Sequence, residues 1–205
     1  MSEKRTLQVF FGIILGGALV VGSMWLFFFT REIRHPSLPI YGNVPDFTLT
    51  ERSGRIVRLN DLLGQIWIAD FIFTNCGGAC PMMSSNMKQM QNLLNDKADV
   101  KLVSITVDPS RDTPQALSEY AKKYGARTDQ WLFLTGDGAA IRKLAVQGFL
   151  VSATAGANPK DEIAHSSRFV LIDRRGRIRG YFDGESPGVT RTLLTAMDAL
   201  DKERR

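Results

Sequence analysis

Leu7 to Phe29 is a run of 23 residues without a charge, and Gln8 and Ser23 are its only polar interruptions. Such a stretch has no place on the surface of a water-soluble domain, and it exceeds the roughly 20 residues a helix needs to cross a bilayer. It divides the chain. Residues 1–30 are expected to form an N-terminal membrane anchor, 31–44 a tether, and 45–205 one folded domain. A cleaved signal peptide is the competing reading, but its apolar core should span about 7–15 residues and end at small side chains. This run instead closes on Trp25-Leu26-Phe27-Phe28-Phe29. Lys4 and Arg5 precede it and Arg31 and Arg34 follow it, so basic residues orient it only weakly.

The tether carries Pro36, Pro39 and Gly42 and no periodic pattern. The remainder, about 160 residues, is one domain's worth and is large enough to bury a core. Setting aside Lys4, Arg5, Arg31, Arg34, Glu3 and Glu32 leaves 22 basic against 19 acidic residues, a net charge of +3 where the whole chain has +5. The cluster Arg174, Arg175, Arg177 and Arg179 has no interleaved aromatics, so it reads as a solvated turn and no nucleic-acid partner is expected.

Two short runs, Pro45–Leu49 and Arg55–Leu59, flank Ser53-Gly54 and predict a hairpin. Ile66–Phe73 is an apolar run and predicts a buried strand. Pro81–Asn95 predicts a helix with Met83, Met87, Met90 and Leu94 along one face. Val100–Val107 is a second buried strand. Thr113 or Asp112 caps the next helix, Pro114 opens it and Gly125 ends it. Trp131–Leu134, a helix over Ala139–Gln147, a hairpin of Ser167–Ile172 with Arg177–Tyr181, and a helix over Val189–Lys202 complete the domain. Strands alternating with helices predict an α/β fold with a mixed sheet and helices on both faces.

Cys76 and Cys80 are the chain's only cysteines and lie where the strand Ile66–Phe73 turns into the next helix. Sites in such sheets form beyond the carboxyl ends of the parallel strands, and a helix N-terminus favours thiolate, the form that reacts and binds metal. With the pair at this junction the fold is expected to be thioredoxin-like. A purely structural disulfide would close a very short loop, where the entropic gain is small. Gly77 and Gly78 instead allow the pair to move between bridged and open states.

His165 is the domain's sole imidazole, just before the strand Ser167–Ile172, where thiol reductases of this fold carry a cis-proline. Two thiolates and an imidazole suit trigonal Cu(I). Zinc ordinarily takes four ligands, so it would need a carboxylate as well. Met82 is a candidate further copper ligand, whereas Met83, Met87 and Met90 follow helical spacing and read as core.

Phe73-Thr74-Asn75-Cys76-Gly77-Gly78-Ala79-Cys80-Pro81, Ser104-Ile105-Thr106-Val107-Asp108-Pro109-Ser110-Arg111-Asp112-Thr113-Pro114 and the His165 to Gly176 segment resemble, in order, the three motif blocks of the Sco/SenC family of membrane-anchored, thioredoxin-like copper proteins. The resemblance implies Cu(I), with Cu(II) as a second state, held by Cys76, Cys80 and His165. It implies a metallochaperone that assists assembly of the binuclear copper centre of cytochrome c oxidase, by copper transfer and by thiol reduction of the client. The implied partners are the copper-centre subunit of the oxidase and a periplasmic copper donor. The implied location is the bacterial inner membrane, single-pass, with the C-terminal domain in the periplasm. Ala164 stands where many members have Asp, and Asn75 where His or Tyr is frequent. Asp108 reads either as a carboxylate near the copper loop or as the start of a turn in which Arg111 and Asp112 pair locally. The competing function is a client-specific thiol–disulfide reductase with Cys76 as nucleophile and Cys80 as resolving thiol. A thiol peroxidase would need a base or arginine motif beside the cysteine, and none is present.

Overall fold

In the computed structural model, residues 16–17, 19–25, 37–95, 97–150 and 167–203 are described. Two units separate, Met1–Ser37 and Leu38–Arg205. In the first, residues 19–25 are helical. Most of the expected span 7–29 lies outside the described residues, and among those described no helix is long and apolar enough to cross a membrane.

The second unit is built on one sheet. Its strands are β1 (Gly42–Asn43), β2 (Thr48–Glu51), β3 (Ile56–Arg58), β4 (Ile66–Ile72), β5 (Val100–Thr106), β6 (Trp131–Thr135), β7 (Arg168–Ile172) and β8 (Arg177–Asp183). They are ordered β1-β8-β7-β4-β5-β6-β2-β3. The helices are α1 (Ala79–Leu93), α2 (Pro114–Lys123), α3 (Gly138–Lys143) and α4 (Val189–Lys202). β4, β5 and β6 run parallel, and the other pairings are antiparallel. The fold is thioredoxin-like α/β with a mixed sheet, as the element pattern predicts.

β4 is buried on both faces, which is why its sequence is a nearly unbroken apolar run rather than an alternating one. Ile66, Ile68 and Ile72 pack with Met83, Met87 and Met90 of α1, Leu117 of α2 and Leu193 of α4. Trp67, Ala69 and Phe71 face the other layer, with Ile141, Leu144 and Phe149. The three methionines are wholly buried, so they are core, as their spacing predicts.

Local signals hold closely. Thr113 Oγ1 accepts from Ala116 N at 3.3 Å, with Pro114 opening α2, and Gly125 leaves it at φ +58°. The helix expected over Ala139–Gln147 is α3, with a π-turn over Leu144–Gly148. That wider turn brings Phe149 onto Trp67 and Phe71 at ring separations of 5.9 and 5.3 Å.

Two expectations need correction. The folded unit takes in residues from Leu38 on, so part of the stretch 31–44 is not tether. Gly42 and Asn43 pair with Ile178 and Arg177, and two bridging residues are too few to leave a periodic trace in sequence. The arginine cluster is a solvated turn only at Arg175, which is exposed. Arg174 pairs with Asp99 and Asp201, Arg177 with Asp173, and Arg179 with Asp173 and Glu203. The Arg179 side chain is 2% exposed, and its guanidinium also donates to Leu38 O at 2.6 Å and Pro39 O at 3.1 Å. Its partners come from positions far apart in sequence, so no local pattern announces them.

Candidate metal centre

β4 ends at Ile72, and residues 73–78 turn the chain into α1. Cys76 N donates to Phe73 O at 3.2 Å, which closes the turn. The helix begins two residues earlier than Pro81 suggests, so Cys80 sits inside its first turn. The N-cap is Gly78, which supplies no side-chain acceptor for the free N–H groups of that turn. The Cys76 sulfur takes that place, accepting from Gly78 N at 3.4 Å. Asn75, Gly77 and Gly78 are exposed, Cys76 is half-buried and Cys80 is buried.

Both cysteines are free thiols. Burial works to raise the Cys76 thiol, but hydrogen bonds from the Cys80 thiol and from the backbone N–H groups of Cys80 and Gly78 outweigh it. Cys76 therefore lies below the usual thiol range, with Glu185 nearby pushing the other way. Cys80 is pushed up to about 12, by burial first and then by Cys76 and Asp70. The arrangement is one accessible sulfur that ionises readily beside one buried sulfur that keeps its proton until an electrophile or a soft cation replaces it.

Asp70 is a buried ionisable group near the thiols that sequence reasoning passed over. It lies in the middle of β4, fully buried, and no hydrogen bond of good geometry reaches either carboxylate oxygen. Burial raises its pKa to about 7, with Ser104, its register neighbour on β5, lowering it only in part. The signal available in sequence was a lone carboxylate inside a strand otherwise wholly apolar.

The start of β7 lies at the same end of the sheet, because β7 runs antiparallel to β4 with Ala69 opposite Val170. Gly184 joins the two elements. Its N–H donates to Ser167 O at 2.6 Å, and its carbonyl accepts from Asn86 Nδ2 of α1 at 2.7 Å. A Cβ on Gly184 would meet Ser167 O at 2.9 Å and Met83 Cγ at 3.1 Å. Ser167 is thus held against the helix that carries Cys80.

His165, with Asp161, Glu162 and Ala164, lies outside the described residues. Among the described residues, no cluster of three or more His, Cys, Asp or Glu side chains is arranged to hold a metal ion. Met82 is 54% exposed in the first turn of α1. Asp108 pairs with Arg111 at 3.3 Å and accepts from Ser110 Oγ at 2.5 Å, as the turn reading predicts. Asp112 does not join that local pairing. It is buried, and its carboxylate points to the cysteine turn.

The SCO1/SenC family profile matches residues 41–198. The SCO1 protein homolog of Bacillus subtilis is 34% identical over 170 residues, covering 81% of this chain and 86% of that protein. Among solved structures, BsSco, described as a member of the Sco family of cytochrome c oxidase assembly proteins with a disulfide switch, aligns at TM-score 0.67 and 31% identity. That match covers 80% of this chain and 97% of the other. Yeast Sco1 with copper bound aligns at TM-score 0.60 and 25% identity, covering 82% and 99%.

Proposed function

This chain belongs to the SCO1/SenC family, and on that premise we propose that it is a membrane-anchored copper carrier that serves assembly of the copper centre of cytochrome c oxidase. The observation that carries the reading is the pair of free thiols at one helix start, in a fold shared with a copper-bound relative and with an oxidase assembly protein. Copper is cargo here, and the donor set suits it. Two sulfurs favour a soft monovalent ion, and Cys80 gives up its proton on loading. His165 is the third ligand in this proposal. It precedes by two residues Ser167, which Gly184 holds against α1. An imidazole completes a trigonal Cu(I) site and is a good ligand for Cu(II).

One comparison tests it. A strain carrying His165→Ala, both cysteines intact, is expected to be as deficient in oxidase activity at limiting copper as a Cys76→Ser strain. Full oxidase activity in the His165→Ala strain would replace copper delivery with thiol reduction as the function.

That second reading has its own support in the unequal thiols and in the disulfide switch of BsSco. The Cys76 thiolate attacks a client disulfide and releases one client thiolate. Cys80 then loses its proton and attacks the Cys76 sulfur, which expels the second client thiolate. The protein ends as a disulfide and the client as a dithiol.

The anchor is part of the proposal. Leu19, Val20, Val21, Met24 and Trp25 are all exposed on the helical residues 19–25, apolar surface suited to lipid. In a bacterial inner membrane, with the domain in the periplasm, peptides from residues 7–29 should be recovered by mass analysis of membrane-extracted protein. A mature chain beginning near Arg31 would mean that the segment is a cleaved leader.

A further inference from the structure

Residues 73–78 carry Cys76 across an exposed turn with little to hold it. Beyond the Cys76 N to Phe73 O bond and the contacts of Cys76 and Phe73 with Cys80 and the core, the described residues tie this segment to the neighbouring strand through one carboxylate. Asp112, at 1% exposure, accepts from Thr74 N at 3.1 Å, from Thr74 Oγ1 at 2.6 Å and from Thr106 Oγ1 at 2.5 Å. Thr106 ends β5, and its hydroxyl in turn accepts from Asp108 N at 3.0 Å. The carboxylate, 38 residues from Thr74 in sequence, thus bolts the thiol turn to the carboxyl end of the neighbouring parallel strand. Thr113, not Asp112, caps α2, so the helix start does not need this carboxylate.

We propose that Asp112 is a positioning residue for the Cys76 turn, fixing the distance between Cys76 and the sulfur on α1 so that the two close on one ion or one disulfide. The inference rests on the copper-carrier reading for its ligand, but its geometry is independent of that ligand. A buried carboxylate with three donors is among the stiffer links a fold provides, because hydrogen bonds to charged groups are stronger than neutral ones. A turn released from it would sample sulfur–sulfur separations that neither chemistry uses.

The test uses the full chain with Asp112→Ala, Asp112→Asn and Thr74→Val. Asparagine keeps the link, since its oxygen accepts from Thr74 N and Thr106 Oγ1 while its NH₂ donates to Thr74 Oγ1. In copper-free protein, Asp112→Ala should speed amide exchange at Thr74 and Cys76 at least tenfold, leaving central β4 and β5 amides unchanged. Its Cu(I) affinity, by competition with a chelator, should fall at least tenfold, and Asp112→Asn should stay within threefold of the parent in both. Exchange that rises equally across β4 and β5 would reduce Asp112 to a general stabilising residue and overturn the proposal. So would a deprotected turn with Cu(I) affinity within twofold of the parent. If Asp112→Ala does not fold, Thr74→Val removes the shorter of the two links from Asp112 to the turn and is judged by the same criteria. A parent that binds no copper would sink the copper reading alone. The amide pattern and a threefold or greater change in the rate of Cys76 alkylation would then decide for or against Asp112.

Discussion

Replacing Cys80 with serine is expected to lower Cu(I) affinity by more than about a hundredfold, and Cys76→Ser and His165→Ala to do the same separately. Losing partners that merely support a ligand typically costs 10–100-fold, and a three-ligand site has no spare donor. The parent should load one copper per chain, and a Cu(II) form should absorb in the visible through thiolate charge transfer. The unequal thiols add a pH signature. Cys80, pushed up to about 12, is protonated across the accessible range, so each copper bound releases that proton. Apparent affinity should therefore rise about tenfold per pH unit from this proton alone. A second proton contributes only below the Cys76 value, which is lowered by its Cys80 and backbone hydrogen bonds against the burial that would raise it. Competition against a chelator of known pH behaviour measures both. Unchanged affinity in His165→Ala would leave the two sulfurs as a two-coordinate site.

The other large effect belongs to Asp70. In the unfolded chain this carboxyl ionises near its ordinary value, while in the fold burial holds it protonated until about pH 7. Between those two values the folded state binds the extra proton, so stability falls as pH rises from about 4 to about 7 and then levels. Three pK units correspond to about 4 kcal/mol. Asp70→Asn, the neutral isostere, should match the copper-free parent near pH 4 and exceed it at pH 8 by up to about that amount. For a chain of this size that is a rise in Tm on the order of 10 °C. Denaturant melts from pH 4 to 9 decide it. The same slope in parent and variant would mean that Asp70 is hydrated or paired in solution. Cys80 should also ionise at lower pH in the variant, since Asp70 is one of the groups that raise it.

Legibility followed the range of the interactions involved. β4, the methionine face of α1, the Thr113-Pro114 start of α2 and the extent of α4 are written in short-range patterns, and the sequence reading recovers them nearly residue for residue. The thiol pair was legible for the same reason, since two cysteines at a strand–helix junction are local information. Asp112 was not, because its Arg-Asp-Thr-Pro setting is an equally good helix start, and only the sheet brings Thr74 to it. Asp70 was hidden in a run whose average character is apolar. Arg179 looked like one arginine of an exposed cluster, yet it gathers Asp173, Glu203, Leu38 and Pro39 from both ends of the fold. Residues joined across the whole domain leave no periodicity to read.

That arginine has a mechanical meaning. Leu38 and Glu203 meet on one guanidinium, and Leu38 N also donates to Glu203 Oε1 at 2.8 Å. They do so beside Ile178, which lies opposite Ile172, itself opposite Trp67 at the start of β4. The thiols are at the other end of that seven-residue strand, about 20 Å away. A pull on the chain ahead of Leu38 is therefore borne first by β1 and the Arg179 clamp, a strand's length from the thiol turn. A load entering at Leu38 is thus taken up at the end of the domain farthest from its thiols.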